Sequence, residues 1–316
     1  MTRLPLVTAI VPTRDRPASL HRALASVRSQ TYPALEIVVV DDGSTQPVEP
    51  EVVADHPPTR LVRLEPSRGP GAARNAGVEA ASGELLAFLD DDDEWLPASV
   101  ERRVNALIEA GPSFAGAQCG WEMRESGDLR FSFVPDPDRD LQRTLLRRPS
   151  MAPSSVLIRK SAFIEAGGFD ASLSQYEDWD LWLRVADRYD VTLVPELLVR
   201  RELHSDRDLR AIRLYARQQM WERIGPRIER LDPLERRSLK AHHLAELAFI
   251  QSELGEYRAA RRALAAAWLQ QPWSLRHATG IARSVLGNTS LWASAGKVKR
   301  VLRRNGGGVE PPVLSW

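Results

Sequence analysis

Short apolar runs alternate with helically spaced segments along the N-terminal part of the chain. Leu6 to Val11 is a β-branched run that stops at Pro12 and predicts a buried strand. From Pro17, the residues Leu20, Leu24 and Val27 recur at helical spacing and predict a helix over 17–30. Leu35 to Val40 predicts a second buried strand, ending in Asp41-Asp42-Gly43-Ser44. Residues 60–64 predict a third strand, and Gly69 to Gly83 a Gly/Pro-rich entry followed by an alanine-rich helix. Glu84 to Leu89 predicts a fourth strand, running straight into Asp90-Asp91-Asp92-Asp93, and a helix is expected after Pro97. Strand–helix alternation of this kind implies an α/β fold with a mainly parallel sheet flanked by helices. Ligands of such sheets bind outside the carboxyl ends of the strands, where both acidic clusters fall.

The pattern loosens over residues 111–160. Pro135-Asp136-Pro137-Asp138 reads as a loop and Ser154 to Arg159 as a strand. Ala162 to Ala166 reads as a short helix stopped by Gly167-Gly168. Trp179 to Tyr189 has helical spacing. From Asp206 onward nearly everything reads as helix, with breaks expected at Pro226, Pro233 and Pro272. The expected organisation is an α/β domain over 1–205, an all-α region over 206–305 and a loose tail over 306–316.

Composition narrows the class. Hydrophobic residues are 43% of the chain and charged residues 27%, which fits a globular protein. No apolar run reaches the roughly 18 residues of a membrane-spanning helix, and the N-terminus lacks the features of a secretory signal. A single cysteine, Cys119, excludes an intramolecular disulfide framework and a cysteine-rich zinc site. A cytoplasmic protein is the expectation, with peripheral contact at the inner membrane face as an extension of it. The near-neutral total hides an asymmetry. Residues 201–316 hold 21 Lys and Arg against 11 Asp and Glu, whereas residues 1–200 hold 22 against 31. The basic C-terminal part suits an anionic partner such as a phospholipid surface or a lipid-linked phosphate, or else is a set of solvated helix faces. The segment Lys297 to Arg304 places Val298, Val301 and Leu302 at helical spacing among basic residues, as an interfacial helix would.

The chemistry lies in three acidic sites: Asp41-Asp42, Asp90 to Asp93, and Glu177-Asp178-Trp179-Asp180. Clustered carboxylates without neighbouring His or Cys are hard oxygen ligands suited to Mg²⁺ or Mn²⁺, which bind substrate phosphates along with one or two carboxylates. The competing reading of the first two is a solvated acidic turn. For the third it is a set of acids favoured by a helix N-terminus, beside a core stripe of Trp179, Trp182 and Leu183. Spacing alone assigns no catalytic base. Trp121 and Trp179 could stack on a ring of a bound ligand or fill the core. Gly69-Pro70-Gly71 is followed by no lysine of a phosphate loop, and no G-x-G-x-x-G follows the first strand, which lowers kinase and dinucleotide readings. Ser154-Ser155 lacks the glycines of a nucleophile elbow.

Taken in order, VTAIVPTRDRP, EIVVVDDGS, GPGAARNAG, GELLAFLDDDDEWLP, GGFD and YEDWDLWLR resemble glycosyltransferase family 2, over roughly residues 5–205. The resemblance implies the GT-A fold and an inverting glycosyl transfer from a nucleoside diphosphate sugar to a hydroxyl acceptor. It places Pro12 and Arg14 on a loop bordering the nucleotide, Asp42 on its base and Asp41 beside it as a structural neighbour. Arg74 matches a residue near the donor phosphates or sugar. Asp90 and Asp92 match the D-x-D pair, with Asp92 the direct metal ligand and Asp91 at the ribose or sugar. Asp178 matches the catalytic base. Arg200, Arg201 and His204 resemble a feature in which a histidine completes the metal site, although the spacing here is one residue longer. Mn²⁺ or Mg²⁺ is the implied cofactor. UDP is the favoured nucleotide, with dTDP and GDP as alternatives, and the acceptor is expected to be a lipid-linked or cell-envelope glycan intermediate.

Further along, Gly255, Tyr257, Ala260, Leu264, Ala267 and Pro272 fall at the spacing of half a tetratricopeptide repeat. Stable arrays need about three repeats, so a helical hairpin is expected rather than a scaffold. The rival readings are a nucleotidyltransferase, which would need a basic triphosphate-gripping loop near Pro12, and an inactive transferase domain serving as a helical-repeat interaction protein. No aromatic-interleaved basic motif supports nucleic-acid binding.

Overall fold

The computed structural model describes residues 3–54, 59–138, 140–203 and 210–272. The chain divides into two compact units, Met1–Leu231 and Asp232–Trp316.

In the first unit the apolar runs become strands as the pattern predicts: β1 (Val7–Thr13), β2 (Leu35–Asp42), β3 (Thr59–Leu64) and β4 (Leu85–Phe88). β1 is buried along its whole length, and β2 from Glu36 on. The intervening helices are α1 (Pro17–Arg28), with proline at its first turn, the short α2 (Pro50–Ala54) and α3 (Pro70–Ala80). After the four aspartates come β5 (Glu94–Trp95) and α4 (Ser99–Ala110). β6 (Phe114–Glu125), β7 (Asp128–Phe133) and α5 (Leu141–Arg147) follow, then a single 3₁₀ turn over Pro153–Ser155 and β8 (Val156–Arg159). The unit is completed by α6 (Lys160–Glu165), α7 (Glu177–Ala186), β9 (Asp190–Glu202) and α8 (Arg210–Ile228).

The nine strands form one sheet in the order β3-β2-β1-β4-β8-β6-β9-β5, with β7 pairing β6. Pairing is parallel from β3 to β4 and between β6 and β9. β8 runs antiparallel between β4 and β6, and β5 and β7 are also antiparallel to their neighbours. The sheet is thus more mixed than the N-terminal alternation predicts. Its polarity still has one consequence for function. β1, β2, β4, β6 and β9 all point their carboxyl ends the same way, and β8 starts there.

Four strands were not predicted: the short β5 and β7, and the long β6 and β9. The buried face of β6 is Ala115, Ala117, Cys119, Trp121 and Met123, mostly small side chains with a weak apolar signal. Gly116 must stay small, since a Cβ there would stand 2.4 Å from the Leu157 carbonyl oxygen on β8.

The expected domain boundary near residue 205 falls inside the first unit. α8 packs Ala216, Met220, Ile224 and Ile228 out of solvent. Its Arg223 pairs with Asp170 and Asp180, and its Arg227 with Asp187. Pro226 does not break this helix as expected. It lies within the final turn on an exposed face, where the carbonyl it leaves unpaired can meet water.

The second unit is a helical hairpin within the described residues. α9 (Pro233–Glu253) is capped by Asp232, whose carboxylate accepts from the Leu234 and Glu235 amides, and Pro233 takes the first helical position. Gly255, at φ +79°, turns the chain into α10 (Tyr257–Gln270). Ala248 packs against Ala260, Ala263 and Leu264, small residues that let the helices approach. The segment 297–304 and the tail 306–316 lie outside the described residues. Among the described residues no helix is long and apolar enough to cross a membrane.

Candidate active site

The carboxyl ends of the strands collect the predicted acids. At the end of β2, Asp41 is 1% exposed. It accepts from the Ser44 amide (2.8 Å), the Val48 amide (3.0 Å) and Arg63 Nη1 (2.6 Å). Burial alone would raise its pKa, but these donors outweigh burial and hold it below the usual carboxylate value. Asp42 faces the loop before α3. Its carboxylate accepts from Ser67 Oγ (2.8 Å) and from the Arg68 and Gly69 amides (2.8 and 2.9 Å). Arg14 reaches the same Ser67 hydroxyl at 3.1 Å, and Pro12 is buried near the end of β1 opposite Val40. Pro12, Arg14, Asp41 and Asp42 therefore form one corner.

The turn after β4 forms the second. Asp91 accepts from Thr13 Oγ1 at 2.7 Å, which ties the acidic turn to the end of β1. Arg16 Nη1 donates to Asp91 Oδ1 (3.2 Å) and to Asp92 Oδ2 (2.6 Å). Arg74, buried on α3, donates to Asp90 Oδ1 at 2.5 Å and to Glu177 Oε1 at 2.7 Å. Asp93 accepts from Ser154 Oγ at 2.6 Å and from Arg201 Nε at 3.2 Å, and the same Ser154 hydroxyl receives the Asp90 amide at 3.2 Å. Four consecutive aspartates are tolerated here because three arginines from separate elements divide them.

That division sets different protonation for Asp90, Asp91 and Asp93. Burial raises Asp91, and the charges of Asp92 and Asp90 add to this against Thr13 and Arg16. For Asp90, burial is outweighed by Arg74, Arg201 and Arg16, and its pKa is lowered. Asp93 is pushed up to about 7 by burial, with Asp90 and Asp92 adding to the rise and Arg201 opposing it. Arg74 is raised, because Asp90 and Glu177 outweigh the burial that disfavours its charge.

The third corner is the N-terminus of α7. Asn75 on α3 and Phe169 exchange two hydrogen bonds, Nδ2 to the carbonyl at 2.8 Å and the amide to Oδ1 at 3.0 Å. The Arg74 guanidinium lies over the Phe169 ring, 5.3 Å from its centroid. This clamp and the Arg74–Glu177 pair fix the start of α7 against α3. Tyr176 enters the helix in a left-handed conformation, φ 66°. Asp178 then follows with Oδ1 accepting from the Trp179 amide at 2.7 Å. Burial pushes Asp178 up to about 7, and the neighbouring Glu177 adds to the rise against the opposing charges of Arg74 and Arg201. A carboxylate with that pKa is poised to take a proton near neutral pH.

Trp179 is fully buried and donates to the Leu145 carbonyl, and Trp121 is 3% exposed between Phe131, Phe133 and Arg201. Both are core residues. His204 lies outside the described residues, while Arg200 pairs with Glu122 on β6. Thr13, Arg16 and Asn75 carry the geometry of the site but are not singled out by chemistry in the sequence, and Ser154 is weighed there only as a nucleophile. Most lie inside the quoted motifs, which is the one signal that could have flagged them. Ser154 lies outside and would be found only from the structure.

A divalent cation fits this donor set. Asp91 and Asp92 already turn one oxygen each toward a single cationic atom, Arg16 Nη1. Among the described residues no three His, Cys, Asp or Glu side chains converge on one point.

The fold and these motifs have relatives. Residues 8–167 match the family described as Glycosyl transferase family 2, and residues 141–220 match Glycosyltransferase like family 2. An uncharacterized glycosyltransferase of Bacillus subtilis (strain 168) is 30% identical over 194 residues, covering 60% of this chain and 71% of that one. The mannosyltransferase PcManGT of Pyrobaculum calidifontis, solved with GDP-Man and Mn²⁺, superposes with a TM-score of 0.59 at 23% identity. That match covers 96% of this chain and 86% of the other. Residues 1–349 of S. aureus TarS, solved with UDP-GlcNAc, superpose with a TM-score of 0.55 at 17% identity, covering 87% and 89%. The architecture is the GT-A fold, and the chain is a glycosyltransferase belonging to family 2.

Proposed function

We propose that the protein is an inverting, divalent-metal-dependent glycosyltransferase that moves a sugar from a nucleoside diphosphate sugar to a hydroxyl acceptor. The observation that carries this reading is the placement of Asp178. It is a carboxylate raised to about 7, held through Glu177 and Arg74 to the Asp90 end of the acidic turn.

In this reading the corner of Pro12, Arg14, Asp41 and Asp42 receives the nucleoside. Asp42 is held by two loop amides and a hydroxyl, so it is oriented before the base arrives. Asp92, with Asp91 beside it, holds Mn²⁺ or Mg²⁺ together with the donor's diphosphate, and His204 is the candidate additional ligand. Such an ion, when bound, stabilises the negative charge that grows on the departing diphosphate. Asp178 accepts the proton of the attacking hydroxyl. A single displacement with one base inverts the anomeric centre, and no second carboxylate is needed to protonate the leaving group. Arg74 keeps Asp90 and Glu177 in register, so donor and base are positioned by one side chain.

UDP is the favoured nucleotide, with dTDP and GDP as alternatives, since the two solved relatives carry different bases. The acceptor is a lipid-linked or cell-envelope glycan intermediate met at the cytoplasmic face of a membrane. The basic C-terminal part, 21 Lys and Arg against 11 Asp and Glu over residues 201–316, supports this.

Calorimetric titration with uridine, deoxythymidine and guanosine diphosphates, with and without Mn²⁺, tests the reading. Metal-dependent binding of one nucleotide, lost in Asp92→Ala, is the expected result. Binding of none under either condition would overturn the catalytic assignment. NMR of the product then reads the anomeric configuration, and retention would exclude the single displacement.

A further inference from the structure

Of the three arginines that divide the acidic turn, one is built differently. The Arg74 side chain is 6% exposed and locked between Asp90 and Glu177. Arg201 is 20% exposed and lies over the Trp121 ring with its Nε on Asp93. Arg16 is 49% exposed, and a single nitrogen, Nη1, bridges Asp91 Oδ1 and Asp92 Oδ2. Those are the two oxygens that a divalent cation held by this pair would take. A cation seated between these two oxygens would take the place that Arg16 Nη1 now fills.

We propose that Arg16 is a tethered counter-cation that leaves Asp91 and Asp92 when the donor's metal binds, and that its guanidinium moves onto the donor diphosphate. The proposal rests on the metal-dependent reading above and deepens it. Three observations support the exchange. Asp91 is fixed independently by Thr13 Oγ1 at 2.7 Å, so the pair keeps its shape when Arg16 departs. The bridging guanidinium is half in water, so moving it costs little desolvation. Its fork of donors suits a phosphate at least as well as two separate carboxylates. A metal ion alone must displace Arg16 and leave it unpaired. A metal ion arriving with a diphosphate gives Arg16 a new partner. Metal and nucleotide therefore tighten each other's binding, by the same factor in both directions.

The test is calorimetric titration of Mn²⁺ into the full chain, alone and with saturating UDP or GDP, for wild type, Arg16→Met, Arg16→Lys and Asp92→Ala. In wild type the nucleotide should tighten Mn²⁺ by about 5- to 150-fold, the usual span of coupling between sites. Arg16→Met should bind Mn²⁺ alone at least about fivefold more tightly than wild type and lose most of the coupling. Arg16→Lys, which keeps the charge without the fork, should retain the weak Mn²⁺ binding and part of the coupling. Equal Mn²⁺ affinity and equal coupling in wild type and Arg16→Met, with binding lost in Asp92→Ala, would overturn the exchange and leave the metal site standing. If no chain binds Mn²⁺, or Asp92→Ala binds it as well as wild type, the metal reading falls and the exchange with it. Matching thermal melts of the variants show that the fold is intact.

Discussion

Asp93 and Asp178 are both pushed up to about 7, but for different ends. Asp93 is spent on structure: it takes the Ser154 hydroxyl and the Arg201 guanidinium. Asp178 has an amide on one oxygen and the Arg74–Glu177 pair beside it, which leaves a proton acceptor at the helix start. Two measurements follow for Asp178. The value of kcat/KM should fall as pH drops through about 7, and Asp178→Asn should lose at least about 100-fold in activity. Stability should move the opposite way. The folded pKa lies above the unfolded value of about 3.9, so the carboxyl's contribution is full below that value and is lost as pH rises through about 7. At pH 8 Asp178→Asn should then melt higher than wild type, by about 2–4 °C for about 1 kcal/mol. At pH 4 the two should converge; a constant gap across that range would refute the pKa assignment. Ser154 makes the complementary case. Removing its hydroxyl in Ser154→Ala orphans the Asp90 amide and leaves Asp93 Oδ2 with Arg201 alone, which should cost about 1–3 kcal/mol in denaturant unfolding. The acids of this site are legible in the sequence because they are chemically loud. Their holders are a threonine, a serine, an asparagine and ordinary arginines, which look like any surface residue until the fold brings them together.

At the scale of elements, most predicted strands are uniformly buried, with β3, exposed at Arg60 and Arg63, the exception. β1, β2 and β4 are continuous apolar runs between covered faces. β6 and β9 escape prediction because β6 is built of small residues and β9 carries exposed polar positions along its length. What selects the small residues is close approach, visible only once the partner strand is placed. Gly77 shows the same pressure in α3. Helix propensity favours alanine there by about 1 kcal/mol. A Cβ at this position, however, would stand 2.4 Å from Ile10 Cγ2 and 3.2 Å from Val40 Cγ2, both fully buried on β1 and β2. Overpacking against rigid β-branched side chains costs about 1–3 kcal/mol and should win. Gly77→Ala is thus expected to lower the unfolding midpoint. Because α3 carries Arg74 and Asn75 on its next turn inward, nucleotide affinity should fall as well. An unchanged or raised midpoint would show that α3 can lift off the sheet without penalty.

For the whole molecule, the sequence suggests a border near residue 205, whereas the compact units divide after Leu231. Alternation ends with the last strand, so residue 205 looks like a boundary, but the border is set by contacts that no local pattern reveals. α8 buries Ala216, Met220, Ile224 and Ile228 within the first unit, and Arg217 lies over the Trp179 ring at 4.9 Å. Arg223 bridges Asp170 and Asp180 in the segment that leads into α7 and in its first turn. α8 therefore braces the same helix start that presents Asp178. A chain ended after Leu231 should unfold in one cooperative transition by circular dichroism and bind nucleotide with the affinity of the full chain. A chain ended at residue 205 exposes the Trp179 side of α7 and strips Asp170 and Asp187 of their arginines. It should lose the cooperative transition, or keep it only with a large drop in midpoint. Should the two truncations melt alike, α8 is an appendage rather than a brace, and the first unit ends where the strand–helix alternation does.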